Sequence, residues 1–251
     1  MAIIIKSLDE IAAMRRAGSV VASILKTLSK EIKAGVTARH LDDIAGSELT
    51  RYGATSSFKG YRGFPATLCV SINEEIVHGI PGERVIQEGD IVSLDFGAIV
   101  DGFHGDAALT IGVGSVSPQA KQLLQITGSC LEAGISVARA GAYLGDISAA
   151  IQHYVESRGF SVVREYTGHG IGREMHEEPQ IPNFGPSGLG PVLQKGMTLA
   201  IEPMVNLGGW QTKVKNDGWT VVTADSSLSA HFEKTIVITD EEAEVLTPWD
   251  E

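Results

Sequence analysis

Thiols are scarce: the 251 residues contain two cysteines, Cys69 and Cys130. This excludes a disulfide-stapled fold and makes a reducing cytoplasm the expected setting. No apolar run approaches the length of a membrane span. The opening Met-Ala-Ile-Ile-Ile-Lys is a short apolar patch with no basic region ahead of it, so it does not read as a secretory signal. Basic charge is in deficit, with 20 Lys and Arg against 31 Asp and Glu. The resulting net charge of −11 disfavours generic or sequence-specific nucleic-acid binding. Low-complexity segments are also missing. What remains is an ordinary globular composition, 43% hydrophobic and 20% charged, long enough for one large domain or two small ones. Glycine is abundant at 29 residues, which points to tight turns and close backbone approaches.

The stretch from Ile91 to Thr110 organises the chain. It reads as two apolar strands joined at Asp101-Gly102, a dipeptide favoured in two-residue hairpin turns. That turn sets Val100 opposite Phe103 and Gly97 opposite Asp106. Side chains alternate along a strand, so Asp95 shares the face of Gly97 and becomes a diagonal neighbour of Asp106. Two carboxylates pointing together from an apolar hairpin repel unless something positive lies between them. A lone strand Asp is most simply a solvated edge residue. A same-face pair flanked by glycines reads better as part of a metal site.

Elsewhere, Ser7-Leu8-Asp9-Glu10 fits a capping box opening a helix whose apolar positions include Ile11, Met14, Val21 and Leu25. Thr37 is positioned to cap a second helix buried through Leu41, Ile44, Ala45 and Leu49, with Gly53 ending it. Residues 119–138 and 144–158 read as two further helices. Residues 66–72, 160–167, 198–206, 219–223 and 229–239 read as strands, and the Pro- and Gly-rich residues 179–191 as a loop. The two halves also resemble each other. Gly35 and Gly53 bracket the second helix as Gly141 and Gly159 bracket the fourth. Gln87-Glu88-Gly89 precedes Leu94-Asp95 as Gln194-Lys195-Gly196 precedes Ile201-Glu202. A tandem pair of helix-plus-strand units predicts a pseudo-symmetric α+β domain, with Glu202 standing where its counterpart Asp95 stands.

Three more stretches carry chemistry. Residues 168–179 set His169 and His176 among glycines, Ile201-Glu202-Pro203-Met204 sets a carboxylate between apolar residues, and His231-Phe232-Glu233-Lys234 sets another near the start of a strand. Singly, each has a bland reading: a satisfied core histidine, a surface glutamate, a salt bridge to Lys234. Together, four carboxylates and histidine in apolar or glycine-rich settings indicate a shared cation. Oxygen-rich ligation with little nitrogen and no thiolate suits Mn²⁺, Fe²⁺ or Co²⁺ and also admits Zn²⁺. Bridging carboxylates would hold two such ions roughly 3.5–4 Å apart.

Residues 69–81, Asp95 and Asp106, residues 168–179, Ile201-Glu202-Pro203-Met204-Val205-Asn206 and Phe232-Glu233-Lys234-Thr235 closely resemble type I methionine aminopeptidases. The resemblance runs from about residue 5 to the end, with several motifs in the family's order. It implies the α+β "pita-bread" fold, a pseudo-twofold antiparallel sheet with flanking helices, as a single catalytic domain over residues 1–251 built from two similar halves. By resemblance, Asp95, Asp106, His169, Glu202 and Glu233 are ligands of two divalent metal ions, with Asp106 and Glu233 bridging. His78 and His176 match the family's non-ligand histidines at the scissile bond, and Glu202 is expected to relay protons. Tyr61, Phe64, Cys69, Met175 and Trp219 match the pocket for the methionine side chain. Phe64 and Met175 replace other aromatic residues expected in relatives.

The implied activity is removal of the initiator methionine from nascent chains when the second residue is small, by attack of a bridging hydroxide on the first peptide bond. Proline-specific relatives carry a large N-terminal domain, for which the early start of the repeat leaves no room. Type II enzymes carry an insertion between the second histidine and the next glutamate, whereas His176 and Glu202 lie close in sequence. A non-catalytic module on this fold would be expected to lack ligands, and all five are present. The missing zinc-binding extension suggests a bacterial-like or organellar form. Residues 1–62 hold ten Lys and Arg against six Asp and Glu. That excess reads first as solvated helix surface and second as a face steering the enzyme towards ribosomal RNA.

Overall fold

The computed structural model describes residues 2–250, so Met1 and Glu251 of the expected domain lie outside the described residues. Helix α1 spans Leu8–Glu31, and its N-terminus is closed by the reciprocal Ser7–Glu10 capping box. Ile11, Met14, Val21 and Leu25 are all buried along it. Helix α2 spans Ala38–Tyr52. Thr37 Oγ1 accepts the His40 amide at its start, and Gly53 ends it in the left-handed conformation at φ 63. Ile44 is only half-buried at the edge of the stripe formed by Leu41, Ala45 and Leu49. Helices α3 (Pro118–Ser136) and α4 (Leu144–Glu156) pack on each other and on the same core.

These helices flank a nine-stranded sheet. Its spatial order runs through Thr55–Ser56, Ile91–Val100, Phe103–Gly112, Glu233–Val237, Thr198–Ile201, Thr167–Gly170 and Glu177–Pro182. Cys69–Ile72 adds to the first hairpin strand and Glu244–Val245 to the Glu233 strand, and the pairings are antiparallel. The central hairpin has the register its turn demands, with Val100 opposite Phe103 and Gly97 opposite Asp106. The matched glycines of the two halves have matched conformations: Gly35 and Gly141 at φ 93 and 89, Gly89 and Gly196 at φ 89 and 87. Equivalent bridges, Thr37 to Val85 and Tyr143 to Val192, tie each half's helix start to the chain entering its main strand.

Several strands are shorter than the apolar pattern suggests. The strand expected from residue 66 begins at Cys69, because the Thr67 and Leu68 amides donate to Asp42 Oδ1 instead of a ladder. The strand expected from residue 219 begins at Val221, because Asp217 Oδ1 takes the Trp219 and Thr220 amides. Residues 160–167 contain only the short strand Ser161–Val162, and Thr167 opens a separate strand. Residues 198–206 break at Glu202-Pro203, where proline has no N–H for the ladder. Residues 229–239 break at Phe232 and end at Val237. The first segment passes from the large sheet into a three-stranded one and the second passes from that sheet into the large one, with Met204–Asn206 paired to Ser229–His231. Part of the expected 179–191 loop is the edge strand Glu177–Pro182, a position where prolines need not donate.

Helix α1 is packed closely against both the C-terminal segment and the hairpin, with one glycine at each approach. A Cβ on Gly18 would lie 2.0 Å from the Leu246 carbonyl oxygen, and one on Gly105 would lie 2.9 Å from the Gly18 nitrogen. Gly46 of α2, by contrast, has nothing within 4 Å of the same position. Gly18→Ala should therefore destabilise the protein by about 1–3 kcal/mol through overpacking. Gly46→Ala should stabilise it by up to about 1 kcal/mol through helix propensity. Thermal melts of the two variants check this, and equal shifts would contradict it.

Candidate metal centre

Strand pairing brings the acidic residues into rows. Asp95 and Glu233 both pair with Ala108, from opposite sides of the Phe103–Gly112 strand, and Asp106 follows two residues away on the same face. Lys234 pairs with Ile201, so continuing that register by one residue sets Glu233 beside Glu202 at the two strand breaks. Thr235 fixes the neighbouring strand, with its Oγ1 donating to the Asp106 carbonyl and accepting the Asp106 amide. Lys234 points elsewhere, to Glu132 and Asp250, so the bland reading of Glu233 as its salt-bridge partner does not hold.

His169 enters from the Thr167–Gly170 strand. Its Nδ1 lies 2.9 Å from the Gly170 carbonyl oxygen and can only donate there. The other nitrogen, Nε2, is thereby left unprotonated, as a metal ligand requires. It sits 3.5 Å from Glu202 Oε1 and 3.9 Å from Asp106 Oδ2. Asp106, His169 and Glu233 are buried and offer donor atoms all within 4.8 Å of one another. Asp95 and Glu202 flank them in the same cavity.

This arrangement is unstable without a counter-charge. Asp95 Oδ1, Asp106 Oδ1 and Glu233 Oε1 are buried without a hydrogen-bond partner among the described residues. Burial first, with some relief from Cys69, pushes the Asp95 carboxyl up to about 7. Burial and then the charges of the neighbouring carboxylates push Asp106, Glu202 and Glu233 well above the usual range. Burial pushes His169 down to about 4, which keeps it neutral. Orphaned oxygens, mutual repulsion and an unprotonated imidazole nitrogen all fit a bound divalent cation.

The cavity measures about 160 Å³ and is lined by all twelve residues expected from the sequence. Phe64, Cys69 and Met175 form a buried apolar cluster with Tyr61 and Trp219 packed on it. Phe64 meets Trp219 edge-on at 5.1 Å. His176 stacks on Tyr61, whose hydroxyl lies 2.8 Å from His176 Nδ1, and its ring centroid is 4.2 Å from that of His169. Burial, then His169, then Arg62 push His176 down to about 3. His78 sits at φ 60, edge-on to Tyr166 and Trp219, with its pKa lowered by burial.

Other contributors carry no separate signal in the sequence. Phe58 and Arg62 also line the cavity. Gly97 admits Phe58, since a Cβ there would lie 2.9 Å from the Phe58 ring. Lys6 forms a buried ion pair with Glu177, whose other oxygen accepts the Arg173 and Glu174 amides. That pair pins the irregular segment presenting Met175 and His176, and its partners lie 171 residues apart. His231 is buried 3.7 Å from Glu202 Oε2, with both ring nitrogens lacking a hydrogen-bond partner among the described residues. Its place beside Glu233 was the only available hint.

Comparison with known proteins accords with this geometry. The family model described as metallopeptidase family M24 matches residues 12–240. The chain is 51% identical to a methionine aminopeptidase of Clostridium perfringens over 245 residues, covering 98% of each. It is likewise 51% identical to methionine aminopeptidase 1 of Bacillus subtilis, covering 98% of this chain and 99% of that one. The crystal structure of a methionine aminopeptidase from Thermotoga maritima superposes with a TM-score of 0.97 at 50% identity, covering 98% and 99% of the two chains. The chain belongs to metallopeptidase family M24, as a type I-like methionine aminopeptidase that removes N-terminal methionine.

Proposed function

We propose that residues 1–251 act as a single catalytic domain in which Asp95, Asp106, His169, Glu202 and Glu233 would hold two divalent ions. The observation that carries this reading is the set of buried, unpartnered carboxylate oxygens around the His169 nitrogen. The donor set favours Mn²⁺, Fe²⁺ or Co²⁺ and accommodates Zn²⁺. When bound, such ions supply Lewis acidity and make water acidic enough to act as a nucleophile near neutral pH.

The protein's own groups do the rest. Glu202, at the strand break, accepts the proton of the attacking water and delivers it to the leaving amine. The Tyr61 hydroxyl lies 2.8 Å from His176 Nδ1; by donating there it would leave the imidazole proton on Nε2, the nitrogen that would face substrate. His176 then stabilises the developing oxyanion as a neutral donor, because burial keeps it from protonating. His78 borders the same cavity on the Trp219 side and contacts the substrate near the scissile bond. Tyr61, Phe64, Cys69, Met175 and Trp219 enclose the methionine side chain.

The working site is the cytoplasm, on nascent polypeptide N-termini. In support, both cysteines are free and no helix among the described residues is long and apolar enough to cross a membrane. Ribosomal RNA as a partner has the charge excess of residues 1–62 in its favour. Against it, two cations of that region, Arg15 and Arg16, are already paired with Glu244 and Asp101.

The electrostatics predict a pH signature. Carboxyls with a raised folded pKa contribute stability in full below their unfolded values and lose it as pH rises through the folded ones. The buried histidines act in the opposite sense, but their effect is complete once pH exceeds the ordinary 6.5. From about pH 6.5 to 8 only the carboxylates remain, so the Tm of the metal-free protein should fall with rising pH. Mn²⁺ should remove that slope, and its affinity should rise with pH as protons are displaced. A flat or rising Tm for the metal-free protein would contradict the reading.

Selectivity provides the functional test. Burying a methionine side chain is worth about 1.5–3 kcal/mol, and the pocket offers no charge for Lys or Glu. One methylene is worth only about 1–3 kcal/mol, so norleucine should be tolerated. With Mn²⁺ or Co²⁺, Met-Ala-Ser and norleucine-Ala-Ser should be cleaved, while Lys-Ala-Ser, Met-Arg-Ser and an X-Pro peptide should not. Equal rates across the series would overturn the assignment.

A further inference from the structure

The cavity has one lysine or arginine among its lining residues. Asp95, Asp106, Glu202 and Glu233 supply negative charge, the pocket wall is aromatic or apolar, and Arg62 alone brings a permanent positive charge. Arg62 is exposed, whereas its neighbours Phe64, Cys69 and Met175 are buried, so it marks the mouth. The backbone holds it there in an unusual way. Its φ of 48 is left-handed, inside the tight turn Tyr61–Gly63 and between Gly60 at φ 88 and Gly63 at φ 91. A non-glycine residue in that conformation persists only where the surroundings impose it. The guanidinium lies over the Tyr61 ring at 5.3 Å and has no carboxylate partner among the described residues.

The proposed function puts the substrate's first side chain in the apolar pocket, and its free amino group, a cation, would lie beside the carboxylates that line the same cavity. Both lie at the closed end. Residues beyond the second must therefore leave through the mouth, past Arg62. An exposed guanidinium there attracts a carboxylate and repels an ammonium, over a screening length of about 8 Å at physiological ionic strength. We propose that Arg62 is a specificity-determining residue, favouring substrate chains with acidic side chains at the third and fourth positions over chains with basic ones. This rests on the methionine aminopeptidase reading of the cavity and adds to it a selection by charge beyond the second residue.

The test uses metal-loaded enzyme and three amidated peptides, Met-Ala-Glu-Glu, Met-Ala-Lys-Lys and Met-Ala-Ser-Ser. The acidic peptide should exceed the basic one in kcat/KM by about three- to tenfold at low salt and approach parity at about 0.5 M salt. Arg62→Asn should abolish the preference and Arg62→Asp should reverse it, both residues being tolerant of a left-handed backbone. Parity of the wild-type enzyme at low salt would overturn the proposal. So would a preference that survives in both variants. If a variant fails to fold, the salt dependence of the wild-type preference still decides. Failure to cleave Met-Ala-Ser-Ser would instead overturn the underlying assignment, and the proposal with it.

Discussion

Four carboxylates converge on one buried space, and the surrounding fold is arranged to hold them against their repulsion. Strand pairing does most of this. Asp95 and Glu233 flank Ala108 from two sides, Asp106 lies two residues along the same strand, and Glu202 stands where its chain leaves the large sheet. Asp95, Asp106 and Glu233 cannot relax without giving up a ladder of backbone hydrogen bonds, while Glu202 lies in the break between two strands. The repulsion is therefore relieved either by protons or by a cation. Raised carboxyl pKa values and orphaned oxygens are two expressions of that one constraint.

The same constraint explains the two broken strands. A continuous strand through residues 198–206 would alternate its side chains across a single sheet. The break at Glu202-Pro203 moves the chain from the large sheet into a second one, and the break at Phe232 brings it back from that sheet into the large one, both beside the centre. The two glutamates thus sit at a junction, open to the cavity. Further out, the Lys6–Glu177 pair and the Tyr61–His176 contact fix the segment that carries His176. The first of these belongs to the N-terminal segment, so the start of the chain takes part in the geometry of the site.

The legible part of this architecture was local. Asp101-Gly102 set the hairpin register, and from it the Asp95–Asp106 pairing followed by alternation alone. Ser7 and Glu10, Thr37 and Gly53 marked helix ends through capping chemistry that acts over three or four residues. Strands begin later than their apolar patterns where side chains take the backbone amides, as Asp42 does at residues 67–68 and Asp217 at residues 219–220. Apolar patterning cannot reveal such a partner. The edge strand Glu177–Pro182 was hidden by its prolines, and the Lys6–Glu177 pair by the length of chain between its members.

The central proposal is that the acidic cluster, Asp106 included, would hold two cations. Calorimetric titration of Mn²⁺ into metal-free protein, beside an Asp106→Ala variant with its folding checked by circular dichroism, tests it most directly. The account predicts two ions per wild-type chain, and loss of both tight binding and turnover in the folded variant. A variant that kept both ions with unchanged affinity, and full activity, would contradict it.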